Sequence, residues 1–155
     1  MLNCAGIRHA QLVVGAEMFR AVMLGAADLE RAGAFYDAVL KPLGWHRVER
    51  LETEIGFGPI VPDDPSAPAP LWILKPYDGR QATFGNGVNI AFHAPSREAV
   101  DAFHSAALAN GGKDEGAPGL RLHYTPTFYA AYVRDPTGNK VSAVFDKPVP
   151  SGAID

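Results

Sequence analysis

A chain of 155 residues that is 47% hydrophobic and 20% charged has the length and composition of one globular domain with its own buried core. The formal net charge of −3, without a lysine and arginine cluster, provides no basic surface, so we expect no nucleic-acid partner. A single cysteine, Cys4, excludes an internal disulfide framework or a cysteine metal cage and favours a cytoplasmic location.

The N-terminal segment carries no targeting signal that we can identify. No apolar run approaches the roughly 20 residues that span a bilayer, so we expect no membrane partner. The stretch before Phe19 is a broken apolar sequence without a convincing cleavage site. Because the regular pattern begins at Phe19, we favour Met18 as the natural start and interpret residues 1–17 as an extension of doubtful role. A single domain over residues 18–148 and a tail over 149–155 complete the predicted organisation.

The first half of the chain predicts a strand, a helix and three further strands. "FRAVMLG" is the first strand, and the apolar residues of "LERAGAFYDAVL" recur at helical spacing. Asp28 is a suitable N-cap for this helix, and Pro42 and Gly44 end it. The strands that follow are "WHRVER", "TEIGFG" and "PLWILKP". The proline-rich "GPIVPDDPSAPAP" predicts a surface loop between adjacent strands.

The second half repeats the first. "GVNIAFH" predicts a strand, and Ser96 caps a helix that ends at Gly111 and Gly112. A shift of 68 positions superposes matching residues of the two helices: Glu30 on Glu98, Ala34 on Ala102, Phe35 on Phe103, Ala38 on Ala106, Leu40 on Leu108 and Gly44 on Gly112. Two amphipathic helices can share such features by physics alone, but the common register of strand, cap and glycine favours duplication. The modules cover about 19–78 and 86–146.

The C-terminal third predicts a hairpin. A glycine- and proline-rich stretch, "GKDEGAPGLRLHYTP", precedes the strands "TFYAAYVR" and "NKVSAVF". Asp135, Pro136 and Gly138 suit a type I turn followed by a left-handed residue. Ser142 is the polar exception in an otherwise apolar strand centre, "VSAV", and raises the question whether it marks a site.

This arrangement resembles the vicinal oxygen chelate superfamily of glyoxalases, extradiol dioxygenases and bleomycin-resistance proteins. "VMLGAADLERAGAFYDAVLKPLGW" is similar to the family's opening and "DPTGNKVSAVF" to its closing hairpin. The resemblance covers Phe19 to Phe145 and implies an α+β fold. In that fold, two tandem βαβββ modules form a rolled, mostly antiparallel trough. It also implies a homodimer, and in the enzymes a divalent metal held by His, Gln or Glu on the first and last strands of each module.

The family's metal-ligand positions, carried over one by one, fall on residues that bind metals poorly. On the first strands they are Ala21 and Asn89, and on the last strands Trp72 and Ser142. Metal sites of this kind need anionic oxygens or imidazoles at about 2.0–2.6 Å. We therefore predict no cofactor and interpret Ser142 as the trace of a lost ligand. For Trp72 the favoured interpretation is core filling, and the alternative is an aromatic wall inside the trough.

Other residues could contact a ligand or act as a base. Strand alternation places His93 on the same face as Asn89, so it is a candidate base, although a hydrogen-bonded rim histidine is the favoured alternative. His123 and Tyr124 lie where a loop enters the penultimate strand, and loops at a trough mouth commonly contact ligands. Arg121 beside them could pair with an anionic ligand or simply solubilise the surface. Of Tyr129 and Tyr132, at most one can face the trough.

Three functions remain open at this stage. The first choice is a protein that binds a small oxygenated or aromatic molecule through Trp72, Asn89, Arg121, Tyr124 and Ser142. The alternative is a metal-dependent lyase, isomerase or dioxygenase, similar to lactoylglutathione lyase and loaded with Zn, Ni, Mn or Fe. A third is a cofactor-free enzyme with His93 or His123 as its base.

Overall fold

The computed structural model describes residues 20–59 and 69–147, which form two four-stranded sheets and two α-helices. The proposed extension over 1–17, most of the proline-rich loop and the tail over 149–155 lie outside the described residues. The first module consists of β1 (Val22–Gly25), α1 (Leu29–Leu40), a short 3-10 helix (Lys41–Leu43), β2 (Trp45–Arg50), β3 (Glu54–Pro59) and β4 (Leu71–Leu74). The second consists of β5 (Ile90–His93), α2 (Arg97–Ala109), β6 (Lys113–Leu120), β7 (Tyr129–Arg134) and β8 (Lys140–Phe145).

Both helices begin at the residues that the sequence predicts. The Asp28 side chain accepts a hydrogen bond from the Arg31 amide, and the Ser96 side chain accepts one from the Ala99 amide. Each cap satisfies a backbone N–H group that has no partner within the first helical turn. Gly44, with φ of 80°, follows the 3-10 helix and ends the helical segment in a left-handed conformation that glycine adopts without a steric penalty. No helix in the described segments is both long and apolar enough to cross a membrane.

The two sheets have the same topology, which confirms the predicted duplication. Sheet one has the strand order β1-β4-β3-β2 and sheet two has the order β5-β8-β7-β6. In each, the first strand pairs in parallel with the last, and the remaining pairs are antiparallel. The chain is therefore an α+β protein of two tandem βαβββ modules, and its sheets remain open within the described part.

Strand β6 is the element that the residues themselves did not predict. It contains Gly116, Pro118 and Gly119, which disfavour a strand, and its register to β7 shifts twice. These residues are tolerated because β6 is the edge strand of sheet two, where a missing N–H donor or a bulge breaks no second ladder.

The core lies between the helices and one face of each sheet. Fully buried Phe35 and Phe103 project from the two helices, and alternate strand residues such as Ile73 and Val141 pack against them. The intervening strand residues, Trp72 and Ser142 among them, lie outside this core cluster on the opposite face of each sheet. We call these surfaces the open faces of sheets one and two.

A buried carboxylate joins the two modules. Asp135 is 3% exposed and begins the β7–β8 turn, where its Oδ1 accepts hydrogen bonds from the amides of Thr137, Gly138 and Asn139. Its Oδ2 accepts a 2.9 Å hydrogen bond from the Tyr36 hydroxyl of α1. Gly138 has a φ of 108° and its amide donates to the Asp135 carbonyl, which confirms the predicted turn.

Candidate functional site

A row of side chains crosses the open face of sheet two. Ala91, Ser142 and Tyr132 are register partners on β5, β8 and β7, and Asn89 immediately precedes β5 on the same face. The Asn89 Nδ2 group donates a 3.1 Å hydrogen bond to Ser142 Oγ. Ser142 itself is fully buried, whereas Asn89 is exposed. The structure thus brings two sequence-predicted residues together, with Asn89 as the member of the pair that a ligand can reach.

The equivalent row in module one is apolar. Trp72 pairs with Met23 on β1 as Ser142 pairs with Ala91 on β5, so the two positions correspond in register. The favoured interpretation that Trp72 fills the core is wrong, because Leu71 and Ile73 on either side take the core positions. Instead the indole lies on the open face across Gly56, where a Cβ atom would sit 3.1 Å from Trp72 Cη2.

The four positions where the resemblance places metal ligands, Ala21, Trp72, Asn89 and Ser142, can be compared with the usual ligand types. They carry a methyl group, an indole, an amide and a hydroxyl, and the amide nitrogen of Asn89 is already directed at the Ser142 oxygen. None is an imidazole or a carboxylate, the usual protein ligands of such metals. Nor do the described residues contain any group of three or more His, Cys, Asp or Glu side chains placed to hold a metal ion.

Cations surround Tyr132 on the open face of sheet two. The Arg121 guanidinium carbon lies 5.5 Å from the centre of the Tyr132 ring, and Lys140 Nζ lies 5.4 Å from it. Burial raises the pKa of the Tyr132 hydroxyl above its ordinary value, Tyr124 raises it further, and Arg121 opposes both. Arg134, at the end of β7, forms a 2.8 Å ion pair with Glu115, which lowers the pKa of that carboxyl group.

The candidate histidines stand apart from each other. His93 is exposed at the end of β5, and His123 lies beyond the end of β6, where its ring contacts Tyr124 at 4.2 Å between centroids. Three strand spacings separate β5 from β6, about 14 Å across the sheet. The two histidines therefore lie at opposite edges of sheet two. Tyr124 in turn packs against Phe128, at 4.8 Å between centroids.

Sequence reasoning missed Lys140 and left Tyr132 undecided. Strand alternation could have found Lys140, because it lies two residues before Ser142 and therefore shares its face. Tyr129 packs against the core and its hydroxyl donates to Asp101, which leaves Tyr132 as the tyrosine of β7 on the open face. The Arg121 side chain lies over Tyr132 because strand β6 has formed, and no local sequence signal predicts either the strand or this position.

Comparison with known proteins agrees with this architecture. The profile of the Glyoxalase/Bleomycin resistance protein/Dioxygenase superfamily matches residues 19–143. A glyoxalase/bleomycin resistance protein from Albidiferax ferrireducens T118 is 39% identical, with a TM-score of 0.72 over 84% of this chain and 99% of that one. Two duplicated modules with an open-faced sheet in each define a protein of the vicinal oxygen chelate class. The chain belongs to the Glyoxalase/Bleomycin resistance protein/Dioxygenase superfamily.

More distant structures share the fold alone. A glyoxalase-related enzyme from Fulvimarina pelagi is 22% identical, with a TM-score of 0.62 over 86% of this chain and 91% of that one. A lactoylglutathione lyase from Agrobacterium tumefaciens is 23% identical, with a TM-score of 0.53 over 80% of this chain and 90% of that one. A search of the curated proteins found no match.

Proposed function

We propose that this protein binds a small oxygenated or aromatic molecule on the open face of sheet two and does so without the family's metal. The observation that carries the proposal is the 3.1 Å hydrogen bond from Asn89 to Ser142, at the two positions where the resemblance places metal ligands. The Asn89 amide and the Ser142 hydroxyl, which are hydrogen-bonded to each other, form an uncharged polar surface that we call the polar floor. Such a floor can bind a ligand oxygen or amide but has no anionic donor for a cation.

The residues around this floor favour ligand binding over a purely structural surface. Tyr132 and Tyr124 provide aromatic area, and Asn89 is exposed on the other side of Ser142. Small-molecule sites combine apolar or aromatic walls with a few polar groups that fix orientation. The polar groups here come from β7, β8 and the residue immediately before β5, and the sheet holds them more firmly than a mobile loop would.

The experiment is a binding screen of the purified full-length protein, repeated after exhaustive chelation, together with elemental analysis. We expect less than stoichiometric Zn, Ni, Mn and Fe, and ligand-induced thermal shifts that chelation leaves unchanged. Asn89→Ala should weaken binding, whereas Asn86→Ala, an exposed asparagine three residues earlier, should not. One metal ion per chain, with binding lost on chelation, would overturn the proposal.

The competing function is a metal-dependent lyase, isomerase or dioxygenase. The relative from Agrobacterium tumefaciens named as a lactoylglutathione lyase motivates it, but at 23% identity that likeness extends to the fold alone. Metal-dependent turnover of an oxygenated substrate would favour this function. Turnover without metal, abolished by His93→Ala or His123→Ala, would instead favour a cofactor-free enzyme.

The proposal includes a homodimer in the cytoplasm. β1 and β5 each pair on one side only within the described residues, and Met23 on β1 is 65% exposed. A second copy that covers these edges would enclose the open face and shield apolar surface. Light scattering should give twice the monomer mass, and Met23→Glu should shift it toward the monomer. A wild-type protein that is monomeric at all concentrations tested would contradict the dimer. The cytoplasmic location is supported by the single cysteine.

A further inference from the structure

Arg121 is held over the sheet and does not extend into solvent. Its Nη2 group donates a 2.7 Å hydrogen bond to the carbonyl of Ala117, four residues earlier on β6. Two glycines make room for it. A Cβ atom on Gly119 would lie 3.1 Å from Arg121 Nη1, and one on Gly116 would lie 3.4 Å from Nη2. The glycines that make β6 an irregular strand therefore leave space for the guanidinium, which lies over the ring of Tyr132, and we call this space the glycine shelf.

Among the residues that the structure describes, this guanidinium has no carboxylate partner. Within the described residues, no Asp or Glu oxygen lies within 4.0 Å of Arg121, and its hydrogen bonds go to backbone carbonyls. Lys140 is 3.6 Å from Glu115, but that carboxylate already accepts a 2.8 Å hydrogen bond from Arg134. Among the described residues of this face, Arg134 and Lys140 thus share the Glu115 carboxylate and Arg121 adds a third positive charge, although the whole chain has a net charge of −3. Such a local excess attracts anions.

The uncharged polar groups near these cations, the Tyr132 hydroxyl and the Asn89 amide, can also donate hydrogen bonds. Tyr132 stands between β6 and β8 and carries a hydroxyl, and its register partner Ser142 holds the amide of Asn89 in place. The Arg121 guanidinium and the Lys140 ammonium both lie over the Tyr132 ring, 5.5 Å and 5.4 Å from its centre, so an anion that these cations hold would lie next to an aromatic surface. A guanidinium fork matches the two oxygens of a carboxylate, and an aromatic ring stacks on another flat group.

We propose that the open face of sheet two recognises an aromatic carboxylate, whose anionic group binds Arg121 and Lys140 and whose ring packs on Tyr132. This rests on the proposed function, because it specifies the ligand class of the same site. It also gives Arg121 a ligand-binding role and rejects the alternative that the side chain only solubilises the surface.

The test uses ligand triplets that differ only in charge. Acid, amide and amine forms of phenyl, naphthyl and indolyl compounds are titrated into the full-length protein and followed by NMR chemical shifts. We expect the acids to bind at least about tenfold more tightly than their amides, as a charge-assisted contact should provide, and the amines to bind most weakly. Added salt should weaken binding of the acids more than binding of the amides.

Variants locate the effect. Arg121→Gln should remove the preference for acids over amides, and Arg121→Lys should keep part of it because the charge remains without the fork. Arg50→Gln is the matched control, since it removes the same charge from β2, where Arg50 pairs with Glu30 of α1. Thermal melts of the three variants show whether each is folded.

The outcomes separate the two proposals. Amides or amines that bind as tightly as acids, or a preference that survives Arg121→Gln in the folded variant, would overturn the aromatic carboxylate and leave metal-free binding intact. If no compound of any charge binds, the aromatic carboxylate is overturned, whereas the proposed function fails only when the binding screen also finds no ligand. If binding requires added metal, the proposed metal-free binding is overturned, and the aromatic carboxylate proposal that rests on it is overturned with it.

Discussion

The hydroxyl of Tyr36 should stabilise the fold far more than that of Tyr129, although both donate to a carboxylate at almost the same distance. Tyr36 donates to Asp135 at 2.9 Å and Tyr129 donates to Asp101 at 2.8 Å. The difference is burial. Tyr36 is 0% exposed and Asp135 is 3% exposed, whereas Asp101 is exposed to water. Water can replace the phenol at Asp101 but has no access to Asp135.

The magnitude follows from the charge of the acceptor. A hydrogen bond to a charged group contributes about 1.5–3 kcal/mol when its loss is not compensated by solvent. Asp135 keeps four other hydrogen bonds in Tyr36→Phe, three from backbone amides and one from the Asn139 side chain, so the cost lies in the lower part of this range. We expect a loss of about 2 kcal/mol for Tyr36→Phe and below about 0.5 kcal/mol for Tyr129→Phe.

Urea denaturation of the wild type and both variants measures these differences. A loss of about 2 kcal/mol corresponds to a midpoint temperature lower by roughly 4–8 °C for a domain of this size, which thermal melts can check independently. Because Tyr36 and Asp135 belong to different modules, Tyr36→Phe should lower the stability of both in one cooperative transition. Equal losses for the two variants would refute the reasoning, as would melting of one module alone.

Three further predictions concern stability. Burial, and then the charge and hydrogen bond of Asp135, raise the pKa of Tyr36 well above 10.0, so above about pH 10 the folded state keeps a proton that the unfolded chain releases. The free energy of unfolding should therefore fall above about pH 10, by up to about 1.4 kcal/mol per pH unit. In Tyr36→Phe, which lacks this titrating group, the fall should be less steep. Gly56→Ala should cost about 1–3 kcal/mol in urea denaturation, because its Cβ would lie 2.8 Å from the Ala69 Cβ and 3.1 Å from Trp72 Cη2; an unchanged midpoint would contradict the packing described. Asn139→Ala should cost about 2 kcal/mol by the same assay, since its Nδ2 bridges Asp135 and the Gly25 carbonyl of β1.

The sequence predicts the fold well where local chemistry determines it. Asp28 and Ser96 cap the two helices because short acceptors satisfy free amides at a helix start, a rule that needs no tertiary information. Asp135 and Gly138 likewise specify their turn. The repeat at 68 residues holds in the structure, where α1 begins at Leu29 and α2 at Arg97.

Prediction fails where the determining contacts come from distant residues. β6 is a strand because β7 offers it a hydrogen-bonding edge, and its own glycines and proline indicate the opposite. Trp72 resembles a core residue by size and hydrophobicity, yet the phase of β4 gives the core to its neighbours. Arg121 is distinguished from a surface arginine only by the glycine shelf beneath it, which exists once β6 has formed.

The two modules differ where neither helix constrains them. On the core faces, apolar residues repeat because each must pack against a helix. On the open faces, the large and small residues exchange strands: Trp72 lies across Gly56 in sheet one, whereas Ser142 pairs with Tyr132 in sheet two. Because Ser142 on β8 is small, the Asn89 amide at the edge of the sheet can donate a hydrogen bond to it. The ring of Tyr132, on the neighbouring strand β7, contacts Arg121 and Lys140. Duplication of the fold therefore does not duplicate the side chains of the open face, and the polar, cationic surface on which the proposed ligand would bind lies on sheet two.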